Sequence, residues 1–137
     1  MTGLSVGIVG AGPGGLALAL ALHHAGITEV TVYEQSDAIE HVGAGIQLSP
    51  NGLREPLAAI GFYPQAVQFR AWRSGYLIAT RPLGGFSEAR YGAPYYHVHR
   101  GDLQALLVEQ VRALDIPVRT GHTLATLHQD TDAVSLT

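Results

Sequence analysis

Leu4-Ser5-Val6-Gly7-Ile8-Val9-Gly10-Ala11-Gly12-Pro13-Gly14-Gly15 is the stretch whose reading decides the fold. A short β-prone run ends in a cluster of glycines, and the apolar segment Leu16 to Leu22 follows at once. Strand, tight turn and buried helix is the economical parse, with Pro13 near the helix start and Gly26 just past its end. The Leu/Ala alternation mimics strand period, but both residues are strong helix formers, and an apolar surface all round suits a buried helix. Leu4 to Leu22 carries no charge and has the length of a membrane span or signal sequence. The internal glycines and Pro13, with no basic segment before them, argue against both.

Working outward, Glu29 to Glu34 reads as a second strand, which closes a βαβ unit with two parallel neighbours. The spacing Gly10-x-Gly12-x-x-Gly15 between strand and helix then acquires a chemical meaning. Gly10 permits the turn, Gly12 lets a pyrophosphate lie against the backbone, and Gly15 lets helix and strand pack closely. The helix N-terminus offers free N–H groups and the positive end of its dipole, with Ala11 and Gly14 in the same loop. Glu34, about 20 residues beyond the last glycine, is placed to accept hydrogen bonds from a ribose diol. The plain alternative is a glycine-rich turn with no ligand. The fingerprint alone does not separate FAD from NAD.

Gln35 to Leu48 reads as a polar, glycine-bearing loop. A second helix is expected from Ser49 as N-cap and Pro50 at its first position, with Leu53, Leu57 and Ile60 on one face, Pro56 as a kink and Gly61 as its stop. Three strand-like pieces follow, starting at Val67, Gly75 and Tyr95, and predict antiparallel strands of a second sheet. Asp102 to Leu114 has helical spacing. Ile116 to Arg119 is expected to rejoin the parallel sheet, and Thr123 to Leu127 to pair with Ala133 to Leu136 across a turn at Asp130 to Asp132. A classic NAD domain reaches its third parallel strand sooner, so the long antiparallel insertion favours a flavin fold.

The chain has 137 residues, a formal charge of −3, no cysteine and no lysine. Its eight arginines, spread from Arg54 to Arg119, form no basic stripe, which argues against nucleic-acid and membrane-surface partners. Without cysteine there is no disulfide framework or thiolate nucleophile, and a cytoplasmic location is expected. His97 and His99 share one face of a strand but lack an evident third ligand, so no metal is expected. His23 and His24 are read as structural. Tyr91, Tyr95 and Tyr96 are read as strand aromatics, either packing or lining a substrate pocket. No catalytic residue is assigned.

Four stretches carry a resemblance to a known family: the glycine fingerprint, Val32-Tyr33-Glu34, Gly43 to Asn51 (GAGIQLSPN), and Tyr96 to Leu103 (YHVHRGDL). In these the chain resembles the FAD-dependent aromatic-ring monooxygenases of the p-hydroxybenzoate and salicylate hydroxylase type. The resemblance implies an α/β fold: a Rossmann-type FAD-binding βαβ unit with a parallel sheet, plus the start of an antiparallel substrate-domain sheet. It implies an FAD-binding part at 1–66 and 101–137, with inserted strands of a partial substrate domain at 67–100.

Glu34 would bind the adenosine ribose, with Gln35 standing where the family commonly has a basic residue. Gly45 and Ile46 would pass close to the flavin. Arg100 would reach the phosphate and ribityl region, with Gln104 one helical turn further on. NAD(P)H would serve as transient electron donor, with dioxygen and a small aromatic as the other substrates. The family's later Asp-Gly and Gly-Asp segments would lie beyond Thr137, so the chain is expected to be a truncated N-terminal portion that binds FAD weakly at best and is inactive alone. The competing readings are a non-catalytic nucleotide-binding or interaction module that self-associates through an uncovered apolar face, and an NAD-binding oxidoreductase domain.

Overall fold

The computed structural model describes residues 3–39, 43–48 and 55–137, the side chains of residues 55 and 56 excepted. The chain divides into two compact units, 1–41 with 104–137, and 42–103. Among the described residues no helix is long and apolar enough to cross a membrane.

In the first unit, β1 (Val6–Val9) runs into α1 (Pro13–His24) and returns as β2 (Val30–Tyr33). Beta1 and β2 are parallel in the register Val6 to Val30 through Val9 to Tyr33, and β7 (Val118–Arg119) adds parallel to the other side of β2. Hydrogen bonds continue past the strand ends, from Glu34 N–H to Arg119 O and from His122 N–H to Glu34 O. Alpha1 starts with proline at its first turn, where a missing N–H costs nothing, and buries Leu16, Ala19 and Leu20. Val30 and Val32 of β2 and Val111 of the closing helix α4 (Arg100–Ala113) complete a dry core. Alpha4 starts in the second unit and is continuous into the first.

A hairpin follows β7. Beta8 (Leu127–Gln129) pairs with β9 (Val134–Leu136), a few residues later on its first strand than Thr123 to Leu127 predicts. Asp130 fixes the turn by accepting from the Asp132 and Ala133 N–H groups. Those two bonds hold its carboxyl below the usual range.

The second unit departs further from expectation. Residues 45–48, read as loop, form β3 (Gly45–Leu48), which pairs antiparallel with β6 (Tyr96–His99). Beta4 (Ala66–Arg70) and β5 (Leu77–Pro82) form a separate two-stranded hairpin, so the three strand-like pieces do not build one sheet. Alpha3 (Gly84–Tyr91) has no counterpart in the sequence reading, and Tyr91 therefore lies on a helix and not on a strand. Its glycine-rich start and polar face give no clear 3.6-residue apolar stripe. Alpha2 (Glu55–Ile60) ends before Gly61 as expected, while the expected start at Ser49 and Pro50, and Leu53, lie outside the described residues.

Candidate nucleotide-binding site

In the first unit the glycine turn is built around one close approach. A methyl group on Gly15 would collide with the carbonyl oxygen of Gly10, so only hydrogen fits where α1 crosses the end of β1. Gly10 itself has φ +101, a conformation that glycine adopts without strain.

Ala11, fully buried between them, is held from both sides. Its N–H donates to Glu34 Oε2 at 2.7 Å, and its carbonyl accepts from Gln104 Nε2 at 2.9 Å. Glu34 Oε1 accepts from Ser36 N–H at 3.0 Å. The Ser36 and Ala11 N–H groups stabilise the ionised form and hold the Glu34 carboxyl below its ordinary value. The negative charge is therefore fixed at the mouth of the turn, and each oxygen, with one bond made, keeps a lone pair for a further donor.

Around this carboxylate the first unit gathers Gly10, Ala11, Gly15 and Gln104, four of the residues singled out in the sequence. Gln35 is exposed. Two pairings were not legible in advance. Gln104 braces the turn across 93 positions of sequence, a pairing with no local signature. His122 packs its ring on Tyr33 at 5.8 Å and sets its Nδ1 2.7 Å from Thr120 O. A carbonyl only accepts, so Nδ1 carries the proton and, in a neutral ring, Nε2 is left as an acceptor.

The second unit brings together the other sequence-predicted residues. Gly43, at φ +154, lies so close to Arg100 that a methyl group there would sit 3.0 Å from the arginine Cδ and 3.1 Å from its Cβ. Arg100 N–H donates to Ala44 O at 3.1 Å, which ties the start of α4 to the strand carrying Gly45 and Ile46. The Arg100 side chain is exposed. His97 and His99 lie on β6, and His99 Nδ1 stands 3.9 Å from Asp102 Oδ1. Among the described residues no group of three potential ligands could hold a metal ion.

Comparison with known proteins identifies the family of the chain. The family described as FAD binding domain matches residues 3–137. The chain belongs to this FAD-binding domain family. It is 40% identical over 141 aligned positions to 3-amino-4-hydroxybenzoate 2-monooxygenase of Streptomyces cremeus, covering 97% of this chain and 35% of that protein. It is 41% identical over 112 positions to 6-hydroxynicotinate 3-monooxygenase of Pseudomonas fluorescens, covering 76% and 29%. Among solved structures, Klebsiella pneumoniae HpxO complexed with FAD and uric acid aligns with a TM-score of 0.78 at 27% identity, over 97% of this chain and 34% of that one. The chain thus spans about a third of the length of the curated relatives it matches.

FAD fits the residues present. Among the described residues, a methyl group on Gly12 or Gly14 would meet no heavy atom within 4 Å beyond its chain neighbours and its own helix backbone, so the backbone there is open to a pyrophosphate, and the ionised Glu34 beside it suits a ribose diol. The family match, and not the fingerprint, decides FAD over NAD.

Proposed function

We propose that this FAD-binding domain serves a flavin-dependent monooxygenase that hydroxylates a small aromatic ring bearing a carboxylate. The substrates for which several relatives are named, 3-amino-4-hydroxybenzoate, 6-hydroxynicotinate and 3-hydroxybenzoate, support that class. The overall reaction consumes the ring C–H compound, dioxygen, NAD(P)H and a proton, and yields the hydroxylated ring, water and NAD(P)⁺. FAD supplies the electron transfer between NAD(P)H and dioxygen.

The work of this chain is to bind and orient. Gly10, Ala11, Gly12, Gly14 and Gly15 cradle the pyrophosphate, Glu34 takes the adenosine ribose, and Gln35 replaces a basic contact. Gln104 braces the turn through Ala11. Gly45 and Ile46 approach the flavin with backbone groups, and Arg100 neutralises phosphate. On this reading 1–66 and 101–137 act as the cofactor-binding part and 67–100 as the beginning of the substrate sheet. A cytoplasmic location, with no nucleic-acid partner, completes it. The observation that carries the proposal is the carboxylate of Glu34, held ionised by two backbone N–H groups at the mouth of a glycine turn.

Titration of the purified chain with FAD, with NAD as control, tests it. Weak, saturable binding of FAD and none of NAD is expected, weakened at least tenfold further in Gly12→Ala, whose methyl group meets no described atom within 4 Å beyond its chain neighbours and so acts on the ligand. Binding of NAD in preference, or unchanged FAD affinity in that variant, refutes it. A second reading, a self-associating module without catalysis, draws on the exposure of Trp72 at 87% and Tyr76 at 72%. Sedimentation as a clean monomer would exclude it.

A further inference from the structure

The contact of Gln104 with Ala11 fixes more than the position of a loop, because each peptide plane ties two polar groups together. In a trans peptide the carbonyl and the N–H that follows it point in opposite directions. On one side of Ala11, its N–H donates to Glu34 Oε2 at 2.7 Å, so the carbonyl of Gly10 is turned the other way, onto Gly15. On the other side, the Ala11 carbonyl accepts from Gln104 Nε2 at 2.9 Å, so the N–H of Gly12 is turned away from Gln104. Ala11 and Gln104 are buried, whereas Gly12 is half-buried. The carbonyl thus faces the interior and the Gly12 N–H faces outward. That N–H has no acceptor among the described residues.

The local sequence does not hold this peptide in place. Gly12 sits at φ −69, and turning the Ala11–Gly12 peptide over would move it to positive φ, a region that glycine reaches without strain. Packing does not hold it either, since a methyl group on Gly12 would meet no described atom within 4 Å beyond its chain neighbours. Turned over, the plane would show a carbonyl oxygen to an anion where it now shows a donor. The missing side chain that opens the turn to a pyrophosphate therefore also frees the peptide that has to donate to it. A hydrogen bond from elsewhere in the fold resolves the conflict, and Gln104, 93 positions away, supplies it.

We propose that Gln104 is a positioning residue for the cofactor: by holding the Ala11 carbonyl inward it aims the Gly12 N–H at the pyrophosphate. It acts through one peptide plane and not by touching the ligand. This rests on the FAD reading given above.

The test is NMR on the isotope-labelled 137-residue chain, first free and then titrated with FAD, in the parent and in Gln104→Leu. In the free parent a coupling across the hydrogen bond from the Gln104 side-chain NH2 to the Ala11 carbonyl is expected. In free Gln104→Leu the Ala11 carbonyl and Gly12 amide signals should move while those of Ser36 and Gly121 stay. With FAD, the Gly12 amide of the parent should shift downfield as it donates to a phosphate. In Gln104→Leu that shift should be absent even at saturation, and the Kd should rise about tenfold, the size of one hydrogen bond to a charged group. A merely structural loss would move Ser36 and Gly121 together with Gly12 and keep the downfield shift at saturation. That pattern overturns the assignment, as do unchanged Ala11 and Gly12 signals or an unchanged Kd. If Gln104→Leu lacks the dispersed spectrum of a folded chain, Gln104→Met, unbranched like the parent side chain, takes its place. Absence of FAD binding by the parent would instead overturn the cofactor reading, whereas the free-state signals judge the peptide orientation by themselves, so the two failures are distinguishable.

Discussion

The parallel sheet of the first unit and the β4–β5 hairpin of the second use the same residue classes and meet opposite fates. Val30 and Val32 of β2 are 2% and 0% exposed, whereas Ile78 of β5 is 65% exposed and Phe69 of β4 is 52% exposed. Both stretches are β-prone, yet only the first has a crossover helix to lie against. A parallel neighbour requires that crossover, so burial comes with the connection. A hairpin closes through a local turn, so its strands pair without a crossover helix, and most of its residues stay exposed. Strand propensity thus reports that a strand forms and says little about what covers it.

The comparison can be broken or sharpened by substitution. The largest effect is expected for Gly15→Ala, where the added methyl group collides with the Gly10 backbone and cannot move aside; a loss of about 3 kcal/mol or more is expected from urea unfolding. Near-wild-type stability would show that the turn relaxes and that α1 need not approach β1 so closely. Leu107→Ala, at a side chain 2% exposed in α4, should cost about 3 kcal/mol through the cavity it leaves.

Glu34→Gln should cost about 1 kcal/mol at neutral pH, because two charge-assisted hydrogen bonds become neutral ones. The folded pKa of Glu34 is depressed, so its contribution is complete above the usual carboxylate value and is lost as pH falls through the folded value. Denaturant midpoints measured down an acid series should therefore fall less steeply in Glu34→Gln than in the parent chain; parallel curves would contradict this. The smallest effect is expected at the hairpin, where Ile78→Thr should stay within about 0.5 kcal/mol. A loss of 2 kcal/mol there would mean that Ile78 is covered in solution.

Much of the candidate site was legible because its signals are local. Glycine at positions 10, 12 and 15, a strand before them, a helix after them and an acid at the end of the next strand are set by backbone sterics and by strand and helix period. The same holds for the helix of residues 100–113 and the return strand at 118–119. Beta3 was missed because four residues beside glycines give too short an alternation to read, and α3 because no apolar stripe marks it. The likeness of the GAGIQLSPN and YHVHRGDL stretches to a family carried the flavin reading further than periodicity did.

The sequence by itself determined the phosphate-binding turn, the parallel βαβ order and the candidate ribose carboxylate, because each depends on φ/ψ preferences and spacings within a few dozen residues. Only the tertiary structure decided that Gln104 and Glu34 clamp Ala11 from opposite sides, that Arg100 lies on Gly43, and that Tyr95 locks the amide of Gln47 beside His97. Those pairings join residues from 23 to 93 positions apart, and the partner of a hydrogen bond at such separation is set by how whole elements pack, which no local pattern encodes.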